Sequence, residues 1–192
     1  HLWLLFRQRG DSMNIFVLDE NPITAARMYC DKHSPKMVVE LLQQLGSAVI
    51  RHGATPEQMP LTSKGTPLKG GYRNHPCTIW CGESQANFIW ASIHAIELCL
   101  EFTRRFGKTH FCEKGIRHLA NMYTLIPSGG LTDFARAFDL QNPDLAHLYD
   151  KDKYTAVEAY REFYHTKRFS NGLPKWEHSV TPSWWQGVEV TT

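Results

Sequence analysis

Residues 78–106, TIWCGESQANFIWASIHAIELCLEFTRRF, carry the longest helical pattern of the chain. Trp80, Phe88, Ile89, Ile93, Ile96 and Leu100 cover much of the surface such a helix would have. A helix that is apolar on most sides belongs at the centre of a fold. Gly107 follows as a stop, with Arg104, Arg105 and Lys108 where cations favour a helix end.

Working upstream, residues 54–73 hold Pro56, Pro60, Gly65, Pro67, Gly70 and Gly71 and predict a long loop that delivers Arg73, Asn74 and His75 to the next helix. Before it, Met37, Val38, Leu41, Leu42, Leu45 and Val49 form a helical stripe that starts at Ser34-Pro35 and ends before Gly53. Asn21-Pro22 predicts a short helix reaching about Lys32. Asn14-Ile15-Phe16-Val17-Leu18 reads as a short strand or an extended core segment.

Downstream, helices are predicted over residues 113–123, over 132–138 with Thr132 as cap, and over 153–168 with Tyr154, Val157, Tyr160 and Tyr164 at helical spacing. Ser128-Gly129-Gly130 is a turn, and the tail through Trp176, Trp184 and Trp185 packs across the core surface. The expectation is a mainly α single-domain bundle of five to six helices, residues 13–192, with one short N-terminal strand or extended segment. Residues 1–12, ending Arg9-Gly10-Asp11-Ser12 before Met13, read as a non-native leader.

A chain of 192 residues can bury a core without staples. Its 42% apolar and 21% charged content is that of an ordinary globular protein. A net charge of +2 excludes a strongly basic coat, so any nucleic-acid contact must be a local patch. The cysteines, at 30, 77, 81, 99 and 112, are odd in number and argue for a reducing, cytoplasmic setting rather than a disulfide framework. No apolar run approaches a membrane span.

Two motifs concentrate the chemistry. Cys30-Asp31-Lys32-His33-Ser34-Pro35-Lys36, continuing to Glu40, sets His33, Lys36 and Glu40 on one face at the mouth of a helix. Tyr72-Arg73-Asn74-His75-Pro76-Cys77, running on to Trp80, Ser84 and Asn87, repeats the arrangement. Helix entries suit anions through unpaired N–H groups and the dipole, so a phosphate-bearing ligand is expected. Lys36, Arg73 and Arg161 would hold phosphate; His33 and His75 would handle protons; Glu40 or Asp31 would be the acid, base or charge stabiliser; Asn74, Ser84 and Asn87 would read the ligand.

Each has a plainer reading: a solvated Lys36–Glu40 pair, ordinary capping by Asn74 and Pro76, and an outer polar face for Ser84 and Asn87. Tyr160, Arg161, Tyr164, His165, Lys167 and Arg168 could track phosphates and stack bases, or supply core tyrosines and solvated charges. The Cys and His spacings are loose for zinc, and no metal or cofactor is expected. The phosphate-loop, dinucleotide and serine-esterase motifs are absent.

The segment 13–19, Cys30 to Glu40, Asn74-His75-Pro76-Cys77 with Trp80, Ser84, Asn87 and Trp90, Gly107-Lys108-Thr109-His110, Ala159-Tyr160-Arg161 and Trp184-Trp185 together resemble a widespread, largely uncharacterised group of small phage-encoded proteins. That resemblance implies a phage origin and a bacterial cytoplasm. Lys69-Gly70-Gly71-Tyr72-Arg73-Asn74-His75-Pro76 before a long helix is similar to a stretch of the pyrimidine-dimer DNA glycosylases. This implies a mainly α fold and glycosidic-bond cleavage by an N-terminal amine and a Glu. Asn14 departs from that pattern, being no Thr and too large for ready removal of the preceding Met. The expected function is base glycosylase or base-modification transferase chemistry on a nucleotide or nucleic acid, with Trp80 or a Tyr stacking on the base. The alternative is a non-catalytic phage protein that captures a nucleotide signal or a host protein.

Overall fold

Six α-helices occur among the residues that the computed structural model describes, 13–139 and 141–187. They are α1 (Pro22–Arg27), α2 (His33–Arg51), α3 (Pro76–Cys81), α4 (Gln85–Phe106), α5 (Glu113–Ala120) and α6 (Ala156–His165). The 1–12 leader reading lies outside the described residues. Among these residues no helix is long and apolar enough to cross a membrane.

The 78–106 pattern proves to be two helices. Ser84, in an extended conformation, accepts a hydrogen bond from the Asn87 N–H and caps α4, while Gly82 ends α3. Capping here overrides an unbroken apolar pattern. Helix α4 is central as expected: α1, α2, α3 and α5 all pack against it. Gly107 closes it at φ 72°, a left-handed position that suits glycine.

The residues 132–138 helix is also corrected. Thr132 is consumed by Asn87 instead of capping, and the segment has no regular secondary structure. The 113–123 helix stops at Ala120, leaving a 3-10 turn over Tyr123–Leu125. The 153–168 helix contracts to α6, fixed by a reciprocal Thr155–Glu158 capping box.

The N-terminal segment is the extended core segment, not a strand. Ile15, Phe16, Val17 and Leu18 are almost wholly buried among α1, α2 and α6 residues. Without a sheet, its backbone groups bond to side chains: the Asn14 N–H to Glu40, the Phe16 N–H to the Tyr29 hydroxyl, the Leu18 carbonyl to Arg161. The 54–73 loop is tacked onto α2 where Gly70 (φ 74°) approaches Ser47 so closely that a Cβ would clash at 2.5 Å. Ser47 then exchanges hydrogen bonds with the Gly71 backbone.

Candidate functional site

The two motifs meet across Met13 and Asn14. Asn14 is fully buried. Its backbone N–H donates to Glu40 Oε2 at 3.3 Å, and its Oδ1 accepts from the Cys77 thiol at 3.6 Å. The Tyr160 hydroxyl lies between Asn14 Oδ1 (2.9 Å) and the Ala135 carbonyl (2.7 Å), with its one proton for either, and accepts from the Ala137 N–H at 3.2 Å. His75, and not Asn74 as the sequence suggested, is the N-cap of α3: its Nδ1 accepts from the Cys77 N–H at 3.1 Å, and its ring also bonds the Met13 backbone. Burial lowers the His75 pKa, and the Met13 bond opposes that only in part. Burial likewise pushes the Cys77 thiol up to about 12, so it stays a neutral donor.

His33 occupies a separate place about two turns nearer the start of α2 than Glu40. Its ring stacks on Phe16 at 4.7 Å, and its Nδ1 lies 2.9 Å from the Tyr164 hydroxyl, which also accepts the Cys30 N–H at 2.8 Å. The Tyr164 hydroxyl and His33 Nδ1 share one proton between them, on the hydroxyl or on the ring according to the His33 tautomer. Burial drives the His33 pKa well down, and the charges of Lys167 and Lys36 act in the same direction. The mouth of α2 offers fewer unpaired groups than its sequence implies. The His33 and Ser34 N–H groups both bond the Cys30 carbonyl, and Pro35 has none.

The remaining nominated residues divide by exposure. Asp31 accepts from Arg105, from the Glu177 N–H at 2.7 Å and from the His178 N–H. Asn87 gives its Nδ2 to the Trp80 carbonyl and the Thr132 hydroxyl and takes the Thr132 N–H, so it ties the 131–138 segment to the α3–α4 break. Trp80 is buried and packs edge-on to Trp90. Arg161 bonds the Leu18 carbonyl at 2.9 Å and reaches Asp19. Arg73 and Asn74 are exposed at the entry of α3, where Arg51 donates to the Arg73 carbonyl and to Asn74 Oδ1. Tyr72, just before them, holds φ 56°, a conformation uncommon for a non-glycine residue.

Sequence reading missed Asn14, Tyr29 and Arg105. Asn14 had a signal: it is the one polar residue opening an apolar run. Arg105, with a wholly buried side chain, bonds Glu101, Asp31 and the Tyr29 and Arg27 carbonyls. Its long reach across sequence had no local signal. Among the described residues no group of three or more His, Cys, Asp or Glu side chains gathers as metal ligands. The chain matches no protein-family model, no curated protein and no solved structure.

Proposed function

We propose that this chain acts on the base of a nucleotide or nucleic acid, breaking or exchanging its glycosidic bond, with Glu40 as the acting carboxylate. The observation that carries this is the convergence on Glu40: a carboxylate 9% exposed, beside Met13–Asn14, where groups from both motifs gather. As a C1′–N bond breaks, the sugar gains positive charge and the base leaves with the electron pair. A carboxylate held near that carbon stabilises the cation and takes a proton from the attacking water, while the base takes up a proton. The similarity to pyrimidine-dimer glycosylases would pair that carboxylate with an amine. The nitrogen beside Glu40 here is a peptide amide, which is not a nucleophile, so water or a second base is the attacking group. Arg73 and Lys36 remain the phosphate holders in this reading, in a phage protein working in a bacterial cytoplasm.

A second reading, capture of a nucleotide signal or a host protein without catalysis, draws on a different observation. Asp31, Ser84, Asn87 and Tyr160 spend their polar groups on the protein itself. Incubation with nucleosides, nucleotides and single- and double-stranded oligonucleotides, followed by chromatography for freed or exchanged base, separates the two. Base release is expected from at least one class. Tight nucleotide binding without release favours capture, and neither binding nor release sinks both the catalytic reading and nucleotide capture, leaving a host protein as the target.

A further inference from the structure

Helix α4 is built inside out. Its polar residues Asn87, His94 and Glu97 are buried, and each bonds to another helix. Between Ala86 and Leu100, every residue that is not buried is apolar: Ala86, Ile89, Ile93, Ile96 and Leu100. Ile89, Ile93 and Leu100 keep 40%, 38% and 36% of their surface exposed. The outward faces of the other helices carry what water favours, such as Lys114 and Arg117 on α5 and Glu158 and Glu162 on α6. Single exposed apolar residues are ordinary, but a continuous row along one helix is the mark of a contact surface.

The spacing of the row says what it packs against. Ala86, Ile89, Ile93, Ile96 and Leu100 alternate by three and four residues, and the exposed Thr103 continues the series. That alternation is the seam of a helix that interlocks with one other helix along its length. Helices α1, α2, α3 and α5 already pack on the remaining sides of α4, so this side has room for one helix.

We propose that this row is the contact between two copies of the chain, α4 packed on α4 in antiparallel. The row is its own complement, as a two-fold dimer requires. Setting Ile93 opposite the second copy's Ile96 also sets Ile89 opposite Leu100 and Ala86 opposite Thr103, so every layer along the seam is filled. The charges agree with this direction alone. Glu83, exposed just before α4, comes within two residues of the level of the second copy's Arg104 and Lys108, both exposed. Parallel pairing would instead set Glu83 against Glu83 and Arg104 against Arg104. The two helix dipoles also oppose each other favourably only in antiparallel. The pairing requires nothing of Glu40 and serves an enzyme or a binder alike.

Helix α4 has 22 residues, about 33 Å, so the seam is short and a weak dimer with a Kd of about 10 µM is expected. Sedimentation of the full chain from about 1 µM to about 100 µM should show the mass rise from one copy to two. Ile93→Glu places two carboxylates beside the two-fold axis and is expected to raise the Kd about thirtyfold or more in a folded chain. Should Ile93→Glu not fold, Ile93→Ser is measured in the same way. A short bismaleimide reads the direction, because the five native cysteines are buried. In the antiparallel pair the Ile93→Cys thiols lie about 4–5 Å apart along the axis, and the Ile89→Cys thiols about 16 Å apart. Crosslinking at 93 and not at 89 is expected. Equal crosslinking at both positions overturns the antiparallel pair. A mass beyond two copies, or association by Ile93→Glu as tight as by the wild type, overturns the seam. A wild type that stays monomeric also overturns self-pairing and leaves the row to a helix of another protein.

Discussion

The Glu40 carboxylate and the Asn14 backbone N–H, 26 residues apart in the chain, meet at 3.3 Å inside the protein. That contact ties the middle of α2 to the N-terminal segment. Because the Asn14 side chain also reaches Cys77 and Tyr160, one buried residue joins α2, α3 and α6.

Asn14→Ala removes the side chain that the Tyr160 hydroxyl and the Ala137 carbonyl use. Leaving buried partners unsatisfied is expected to cost about 2–4 kcal/mol, read from urea denaturation. A loss within error of zero would mean that these contacts do not organise the centre.

Arg105 is the second such hub. Arg105→Met leaves Glu101 with Arg104 alone and frees the Tyr29 and Arg27 carbonyls. Breaking a buried pair from one side typically costs about 3–5 kcal/mol. Glu101 reports the same event: burial alone would raise its pKa, and hydrogen bonds from Arg104 and Arg105 bring it below the usual value. Its carboxyl pKa, followed by NMR, is expected to rise in the variant; an unchanged value contradicts the assignment.

Asn87 and Ser84 sit three residues apart but hold different things. Ser84→Ala loses a cap at a cost of about 1 kcal/mol. Asn87→Ala releases Thr132 and with it the segment over Trp80 and Cys77. Thiol labelling of Cys77, buried in the folded chain, should therefore quicken in Asn87→Ala and not in Ser84→Ala. Equal rates would mean that Asn87 does not hold the 131–138 segment in place.

Acid should weaken the fold through its buried imidazoles. His94 is held neutral between the Pro22 carbonyl (2.9 Å) and the Tyr29 hydroxyl (2.8 Å), and burial lowers its pKa from 6.5 to about 4. His33 shifts the same way. Above 6.5 neither the folded nor the unfolded chain binds these protons. Below it the unfolded chain does and the folded chain does not, so stability falls with pH. His94 alone accounts for about 3 kcal/mol lost by pH 4. A denaturation midpoint that does not move between about pH 7 and about pH 5 would contradict neutral burial.

The helices that carry their own start and stop signals were legible in the sequence. Asn21-Pro22 and Pro76 mark true starts and Gly107 a true stop, whereas Ser34-Pro35 falls just inside α2, which begins at His33 without a side-chain cap, and the helix expected to reach about Lys32 ends at Arg27. The break at Ser84 was hidden because Trp80 and Phe88 continue one apolar pattern across it. The 132–138 helix failed because Thr132 has a better partner 45 residues away. Local pattern carries no information about such partners. The meeting of Glu40 with the His75 motif was likewise open in the sequence, since it runs through the backbone of Met13 and Asn14, and a backbone N–H leaves no mark on composition.

The most direct measurement is base release by the wild type and by Glu40→Gln, compared on whichever nucleoside, nucleotide or oligonucleotide the wild type turns over. The substitution keeps the size of the side chain and an acceptor for the Asn14 N–H. A fall of about a hundredfold or more in a folded Glu40→Gln is the result expected of a carboxylate that stabilises the sugar cation. Base release by Glu40→Gln at the wild-type rate would contradict the assignment of Glu40.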